Sequence, residues 1–300
     1  MMIQVGYVGL GSMGLPMALN LRKAGFPLHV VSRSRGPIEQ AIAAGATEAA
    51  NYSGLAATAD VVCTCLPMPA DVERVYLDAD GLVAGARPGN VLIDHSTIGP
   101  ASCRKIAAAA QARGVHFLDA PVSGGPAGAQ AGTLGIMVGG ERAVFEQVRP
   151  VLDAMGKTVV YLGLIGSGAV AKLINNLLVG VHQRALIEML LVGQSAGVDL
   201  DALHQVLMGS SGRSVVLEMM YPRLKARDLA PKFRTELFHK DLRLAMEMAA
   251  ECGVRSATGE AAFEAVAAAM AAGLGSQDSL AMLLPLEQEA GMRLFEADSR

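Results

Sequence analysis

The first 120 residues alternate short apolar runs with longer stretches in which apolar residues recur three and four positions apart. The short runs predict strands, and the longer stretches predict amphipathic helices. The predicted strands are Ile3–Val8, Leu28–Ser32, Asp60–Leu66, Val91–Asp94 and His116–Asp119, and the predicted helices include Leu15–Ala24, Pro37–Ala44 and Ala101–Arg113. This alternation is typical of right-handed βαβ units around a parallel sheet.

The pattern changes near residue 163. Strands at Leu134–Val138 and Thr158–Tyr161, with a helix at Glu141–Met155 between them, extend the sheet; beyond them helical periodicity continues to the end. Apolar positions over 167–196 predict one long helix. Shorter helices are expected at Asp199–Met208, Ser214–Met220, Phe238–Cys252, Ala257–Ala272 and Ser279–Gln288. We therefore predict an α/β domain over 1–163 and an all-α domain over 164–300 that begins with the long helix.

Composition excludes several classes of protein. Hydrophobic residues make up 52% of the chain and charged residues 18%, which is enough apolar material for a large core. The net charge of −3 gives no electrostatic basis for binding nucleic acid. The sequence shows neither a signal peptide nor an apolar run long enough to cross a membrane, so we expect a cytoplasmic protein. Cysteine and histidine spacings do not match a metal site, and none is predicted.

The 34 glycines cluster, and the first cluster has a specific form. Gly9-Leu10-Gly11-Ser12-Met13-Gly14 reads G-x-G-x-x-G and lies between a predicted strand and a predicted helix. In such a motif one glycine permits the tight turn, the next lets a pyrophosphate approach the backbone, and the last allows close contact between helix and strand. We predict that all six residues contact a dinucleotide and that the first domain is Rossmann-like.

The end of the second predicted strand indicates which dinucleotide binds. An acidic residue there would hydrogen-bond the ribose of NAD. This chain has no Asp or Glu between Gly14 and Glu39, and it reads Ser32-Arg33-Ser34-Arg35 at the expected place. Hydroxyl and guanidinium groups suit a 2′-phosphate. We therefore predict NADP rather than NAD, bound by Ser32, Arg33 and Ser34; the alternative interpretation is a solvated basic turn.

Three further segments carry a family resemblance. Residues 94–100 read D-x-S-T-x-x-P, residues 117–134 read F-L-D-A-P-V-S-G-G-x-x-G-A-x-x-G-T-L, and residues 166–176 read G-x-G-x-x-x-K-x-x-N-N. With the late Lys240-Asp241-Leu242, these motifs in this order closely resemble the β-hydroxyacid dehydrogenase family over essentially the whole chain. The resemblance implies an enzyme that interconverts a small hydroxy acid and its aldehyde or keto form with NAD or NADP. It also implies a homodimer or homotetramer.

The resemblance also implies roles for particular residues. The family's catalytic lysine falls on Lys172, and its substrate-anchoring segment falls on Ser123, Gly124 and Gly125. Asn176 matches the asparagine that helps to place the substrate. Thr97 and Lys240 match cofactor contacts, with Lys240 also near the substrate. We further predict cofactor contacts at the end of the third long strand, from Leu66, Pro67 and Met68.

These residue types suit the chemistry. Reduction of a carbonyl needs a hydride, which the nicotinamide supplies, and a proton, which the protein must supply. Burial would lower the pKa of Lys172 toward neutrality, so that its side chain could give and take that proton. Lys172 and Asn176 are four residues apart and share one helix face. Ser123-Gly124-Gly125 offers a hydroxyl and backbone N–H groups to a substrate carboxylate.

Three functions remain open at this point. The favoured one is an NADP-dependent β-hydroxyacid dehydrogenase that works as a reductase of small semialdehydes or of glyoxylate. An imine reductase has a similar two-domain plan, but such enzymes typically replace the lysine. The third is a cofactor-binding interaction module without catalysis, against which the joint presence of Lys172, Asn176 and the Ser123-Gly124-Gly125 segment argues.

Overall fold

A mostly parallel β-sheet is the centre of the first of two units, which comprise Met1–Leu173 and Ile174–Arg300. The structure, a computed structural model, describes residues 2–296. The outermost residues of the two predicted domains, 1 and 297–300, lie outside the described residues. The strands are β1 (Val5–Val8), β2 (Leu28–Val31), β3 (Thr47–Glu48), β4 (Val61–Thr64), β5 (Val91–Asp94), β6 (His116–Asp119), β7 (Val122–Ser123), β8 (Leu134–Gly139) and β9 (Gly156–Gly163).

The strand order confirms the Rossmann-like fold. The described sheet has the order β3-β2-β1-β4-β5-β6-β8-β7, with β9 beside β8. The six strands from β3 to β6 pair in parallel, whereas β8 runs antiparallel to β6 and β7. Because β1 lies between β2 and β4, the strand order reverses beside it, and ligands of such sheets bind at the carboxyl ends of the strands near that reversal.

Helices cover both faces of the sheet. They are α1 (Gly14–Lys23), α2 (Arg35–Ala43), α3 (Tyr52–Thr58), α4 (Pro69–Leu77), α5 (Leu82–Gly85), α6 (Pro100–Gln111), α7 (Gly125–Ala131) and α8 (Arg142–Asp153). Alternate strand residues enter two separate cores: Tyr7 and Cys63 pack with Met17 on one face, whereas Val8 and Val62 lie in the core on the other. This burial on both faces explains why the strands read as continuous apolar runs.

The regular elements of the second unit are helical throughout its described part. They are the long α9 (Ser167–Ser195), which begins in the first unit, and α10 (Leu200–Met208), α11 (Val215–Lys225), α12 (Thr235–Glu251), α13 (Ala257–Ala271) and α14 (Leu283–Ala290), with a 3₁₀ turn at Ser279–Met282. Ile187, Phe238, Leu242 and Val266 form part of its buried core. None of the described helices combines the length and the apolar character of a membrane span.

Several elements differ from the sequence prediction. The short elements β3, α3, α4, α5, β7 and α7 were not predicted, because segments of two to nine residues carry too little periodicity. Helix α11 continues to Lys225, past the predicted end at Met220, and includes Pro222. Proline usually marks a helix boundary, and here the helix tolerates it. The prediction of one long helix over 167–196 is confirmed by α9.

Candidate active-site residues

In the turn between β1 and α1, two of the three glycines leave no space for a side chain, and the third does. A Cβ on Gly14 would lie 1.8 Å from the Gly9 carbonyl oxygen, and a Cβ on Gly9, which has φ +89°, would lie 2.4 Å from the carbonyl oxygen of Cys65. By contrast, a Cβ on the exposed Gly11 would meet no atom within 4 Å. The turn therefore leaves open space at the one glycine where a pyrophosphate would approach the backbone.

The start of α1 suits an anion. In the described structure no side chain caps this end of the helix, and its first turn holds no acidic residue. The first N–H groups of a helix lack partners within the helix and carry its positive dipole end. Leu10 is buried beneath the turn, Ser12 is exposed and Met13 is half-buried. The turn and the helix start thus fit the phosphates of a dinucleotide.

The two arginines of the basic segment after β2 differ in their surroundings. The Arg33 side chain is 70% exposed, with Nη1 3.7 Å from Asp71 Oδ1, and it lies between half-buried Ser32 and exposed Ser34. Arg35, which the sequence offered as a second guanidinium for a phosphate, instead pairs with Glu48 at 2.6 Å and Glu39 at 3.2 Å. Of the two guanidinium groups, only Arg33 is therefore left for a 2′-phosphate.

A buried carboxylate joins the loops that follow β4 and β5. Asp94 Oδ1 accepts hydrogen bonds from the hydroxyls of Thr64 and Ser96, both at 2.6 Å. Ser96 Oγ in turn accepts from the backbone N–H of Leu66 at 2.9 Å. Asp94 thereby orders the loop that carries Leu66, Pro67 and Met68 and the loop that carries Thr97. Asp94 belongs to the D-x-S-T-x-x-P motif, but no role was predicted for it; an acidic residue at the end of an apolar strand was the available signal.

The predicted substrate segment joins the end of β7, at Ser123, to the start of α7, at Gly125. Ser123 is half-buried, whereas Gly124 and Gly125 are exposed and have φ values of +131° and +61°. Other residues adopt such conformations only with strain. The exposed backbone at these glycines is open to a small ligand.

Lys172 lies in the first turns of α9. It is half-buried, three residues beyond Ala169. The Ala169 N–H donates to Asp119 Oδ2 at 2.9 Å, and the Gly166 N–H donates to Asp119 Oδ1 at 2.7 Å. A second buried carboxylate, at the end of β6, therefore holds the start of the helix that carries the predicted catalytic lysine. Asp119 was also missing from the sequence-predicted site.

The second unit brings its own predicted residues together. Asn176 Nδ2 donates to Asp241 Oδ2 at 2.7 Å, and Lys240 Nζ lies 3.0 Å from Asp241 Oδ1. All three residues are at most 5% exposed. An amide carries two N–H donors, so the bond to Asp241 occupies one of those of Asn176. The sequence motifs pointed to Asn176 and Lys240, but the pairing through Asp241 is a contact over 65 residues of chain.

The glycine turn, the uncapped helix start and the sheet reversal place this chain in one class. It is a Rossmann-fold protein of the kind that binds a dinucleotide. Two family models match: the NAD-binding domain of 6-phosphogluconate dehydrogenase over residues 4–163, and the NAD-binding region of NADP-dependent 3-hydroxyisobutyrate dehydrogenase over residues 166–286.

Individual relatives agree with the family models. The chain is 37% identical over 291 residues to 2-(hydroxymethyl)glutarate dehydrogenase of Eubacterium barkeri, covering 97% of each protein. It is 42% identical to the NAD-dependent L-serine dehydrogenase of Pseudomonas aeruginosa, over 83% of this chain and 86% of the relative. A solved structure of 3-hydroxyisobutyrate dehydrogenase from Mycobacterium tuberculosis with L-serine superposes with a TM-score of 0.88 at 34% identity, over 95% and 99% of the two chains.

The chain belongs to the β-hydroxyacid dehydrogenase family. The resemblance drawn from the motifs is thereby confirmed, and so is the class of reaction, because the relatives are NAD(P)-dependent dehydrogenases of small hydroxy acids.

Proposed function

We propose that this protein reduces a small semialdehyde, or glyoxylate, to the corresponding hydroxy acid with NADPH, and catalyses the reverse oxidation. The names of the relatives support the substrate class. The compounds 2-(hydroxymethyl)glutarate, 3-hydroxyisobutyrate and L-serine all carry a CH₂OH group one carbon from a carboxylate. Oxidation of such an alcohol gives a semialdehyde. The shared carboxylate would bind at Ser123, Gly124 and Gly125.

One observation carries the catalytic part of the proposal. Three features of the first unit lie at the carboxyl ends of strands. The glycine turn follows β1, the Ser123-Gly124-Gly125 segment begins at the last residue of β7, and the start of α9 is hydrogen-bonded to Asp119 at the end of β6. Lys172 is the lysine of that helix start. A bound nicotinamide would supply the hydride chemistry. The Lys172 ammonium gives a proton to the substrate oxygen in reduction and takes it back in oxidation, while Asn176 and Lys240 complete the substrate contacts.

The Lys172 role is tested with NADPH oxidation on a panel of C2–C4 semialdehydes and glyoxylate. Lys172→Ala is expected to lower kcat by about 10²–10⁴-fold, the usual contribution of general acid catalysis. Its NADPH affinity, followed by fluorescence, should stay within about twofold of the parent. The exposed Lys157→Ala is the matched control and should keep full activity. A Lys172→Ala enzyme as fast as the parent would remove the catalytic assignment, and absence of turnover on every substrate would remove the proposed function.

The preference for NADP rests on Arg33. Its exposed guanidinium, the neighbouring hydroxyls of Ser32 and Ser34, and the lack of an acidic residue at the end of β2 support a 2′-phosphate site. The family contains both preferences, because one relative is an NAD-dependent serine dehydrogenase and one matching family model is named for an NADP-dependent 3-hydroxyisobutyrate dehydrogenase. Arg33→Ala should raise the KM for NADPH about tenfold or more, with little change for NADH. Equal effects on both cofactors would contradict the prediction.

We also propose that residues 1–163 form the NADP-binding domain, which also supplies Ser123, Gly124 and Gly125 to the substrate. Residues 164–300 form the all-helical domain, which supplies the other substrate contacts and forms a homodimer or homotetramer. The two family models divide the chain between 163 and 166, which supports this boundary. Leu178, Met189 and Val192 on α9 are each more than half exposed and recur at helical spacing, which supports an oligomer. Light scattering after size-exclusion chromatography should give a dimer or tetramer, and Leu178→Glu with Met189→Glu should give a smaller species. A monomeric parent protein would contradict it.

A further inference from the structure

Asp119 is a buried carboxylate whose two oxygens both bond to the same short segment of chain. It is 1% exposed; Oδ1 accepts the N–H of Gly166 and Oδ2 accepts the N–H of Ala169. These N–H groups lie just before and within the first turn of α9, where a helix has no intrahelical partners for its donors. The Asp119 carboxylate, on strand β6, therefore accepts N–H groups at the start of α9 in the way that a capping side chain does.

Glycines from two other segments make this close approach possible. A Cβ on Gly139, at the end of β8, would lie 2.6 Å from Asp119 Oδ1. A Cβ on Gly168 would lie 2.9 Å from Asp119 Oδ2 and 2.2 Å from the Met137 carbonyl oxygen. The space around the carboxylate is thus fully used, and the helix start has little freedom to shift while these contacts hold.

The residues joined by this contact lie close in sequence to the proposed substrate-binding and proton-transfer groups. Asp119 is the last residue of β6, and Ser123 follows four residues later; Ala169 precedes Lys172 by three residues on α9. We propose that Asp119 is a positioning residue, whose ionised carboxylate fixes the start of α9 on the end of β6 and so sets the place of Lys172 relative to Ser123-Gly124-Gly125. This inference rests on the proposed function of Lys172.

The titratable groups around Asp119 determine when its carboxyl is protonated. Asp94, the last residue of β5, is in register with Asp119, and His95 follows it, with Nδ1 2.7 Å from the Ala120 carbonyl oxygen. Helix α6 contributes Cys103, and α9 carries Lys172. Burial raises the pKa of the Asp119 carboxyl to about 6, and the Asp94 charge adds to this. Burial lowers the pKa of His95 to about 4 and raises the pKa of the Cys103 thiol, so both are neutral near pH 6. Protonated Asp119 would turn an acceptor oxygen into a donor that faces an N–H group.

A low-pH loss of reductase activity follows from this geometry. In the reductive direction Lys172 acts in its protonated form, so its own titration does not slow the reaction as the pH falls. Protonation of Asp119 does, because it releases one bond to the helix start. We expect kcat to fall as the pH drops through about 6 while the far-UV circular dichroism stays unchanged. A kcat that is flat between about pH 5 and pH 8 would overturn the inference.

The sharper test is a double-mutant cycle of Asp119→Asn and Lys172→Ala. At about pH 8, Asp119→Asn should lower kcat about 10²-fold, the scale of a misplaced catalytic group, with the NADPH Kd within about threefold and without the low-pH limb. In the Lys172→Ala background the same change should have almost no effect on kcat, since Asp119 acts through the lysine. The exposed Asp153→Asn is the matched control and should behave like the parent.

The outcomes separate this inference from the function on which it rests. If Lys172→Ala keeps its activity, the proposed function fails. If Lys172→Ala is slow but Asp119→Asn is as fast as the parent, or if the two effects multiply in the double variant, the positioning role fails alone. Should Asp119→Asn not fold, the pH profile of the parent enzyme still decides.

Discussion

The carboxylates buried beside the predicted site residues are held differently in the two units, although elsewhere in the second unit the buried Asp278 also accepts backbone N–H groups. In the first unit, Asp94 accepts hydrogen bonds from two hydroxyl groups and the Ser96 N–H, and Asp119 accepts them from backbone N–H groups. In the second unit, Asp241 lies against an ammonium, Lys240, and the Asn176 amide. A charge held by backbone dipoles orders the path of the chain around it, whereas a charge held by a counter-charge mainly stabilises its own pair. Among these three carboxylates, Asp94 and Asp119 are therefore the ones that order loops predicted to bind ligands.

The largest expected effect tests the ion pair of the second unit. Asp241→Asn removes the carboxylate that faces the buried Lys240 ammonium, and we expect the free energy of unfolding to fall by about 3–5 kcal/mol in urea titrations. Lys240→Met in addition should recover part of that loss, because the buried charge is then gone. Glu247→Gln, on the same helix α12, breaks the exposed pair with Arg243 and should cost below about 0.5 kcal/mol. Equal costs at the two sites would show that burial does not distinguish them.

Glycines of the first unit provide the next largest contrast. Gly14→Ala forces a Cβ against the Gly9 carbonyl oxygen and should lower the free energy of unfolding by about 3 kcal/mol. Gly11→Ala adds a methyl group in open space and should change stability by less than about 0.5 kcal/mol. Its NADPH affinity should nevertheless fall, because the methyl group occupies the path of the pyrophosphate. A Gly11→Ala protein that binds NADPH like the parent would remove the phosphate assignment of this turn.

The difference between local sequence patterns and contacts between distant residues explains what could be predicted from the sequence. The sheet, the long helix and the glycine turn follow from local pattern: periodicity over ten or more residues, and a motif whose chemistry lies in the backbone of six consecutive residues. The predicted phosphate contacts are made by the backbone of this one segment, so they can be predicted without knowing a distant partner. These parts of the fold and of the candidate site were therefore accessible before any coordinates.

The partners of the buried carboxylates could not be predicted in this way. Asp119 meets Gly166 only because β6 and β9 both lie beside β8, and Asn176 meets Asp241 only because α9 packs near α12. The ion pair of Arg35 could not be predicted for the same reason, because Glu48 belongs to β3, a two-residue strand that no periodicity predicts. Contacts that depend on tertiary packing require the structure.

A smaller expected effect is the pH dependence that the buried Asp119 carboxyl gives to the free energy of unfolding. The pKa of Asp119 is raised by burial from 3.8 to about 6, so the folded chain binds this proton more tightly than the unfolded chain. The resulting stabilisation is complete below the unfolded pKa and is lost as the pH rises through 6. Between about pH 7.5 and pH 4.5 the parent should therefore gain about 2 kcal/mol relative to Asp119→Asn, as measured by urea unfolding of both proteins. A difference that shrinks on acidification would contradict the assignment of the raised pKa.

The smallest expected effect concerns the exposed charges after β2. Arg35 pairs with Glu39 and Glu48 at the surface, where such pairs contribute less than about 1 kcal/mol, so Arg35→Ala should scarcely change the free energy of unfolding. Because its guanidinium is already bonded to carboxylates, the KM for NADPH should change less than about twofold, in contrast to Arg33→Ala. Steady-state kinetics of the two variants side by side measure this. An Arg35→Ala enzyme that loses NADPH selectivity as strongly as Arg33→Ala would mean that Arg35 leaves Glu48 when the cofactor binds.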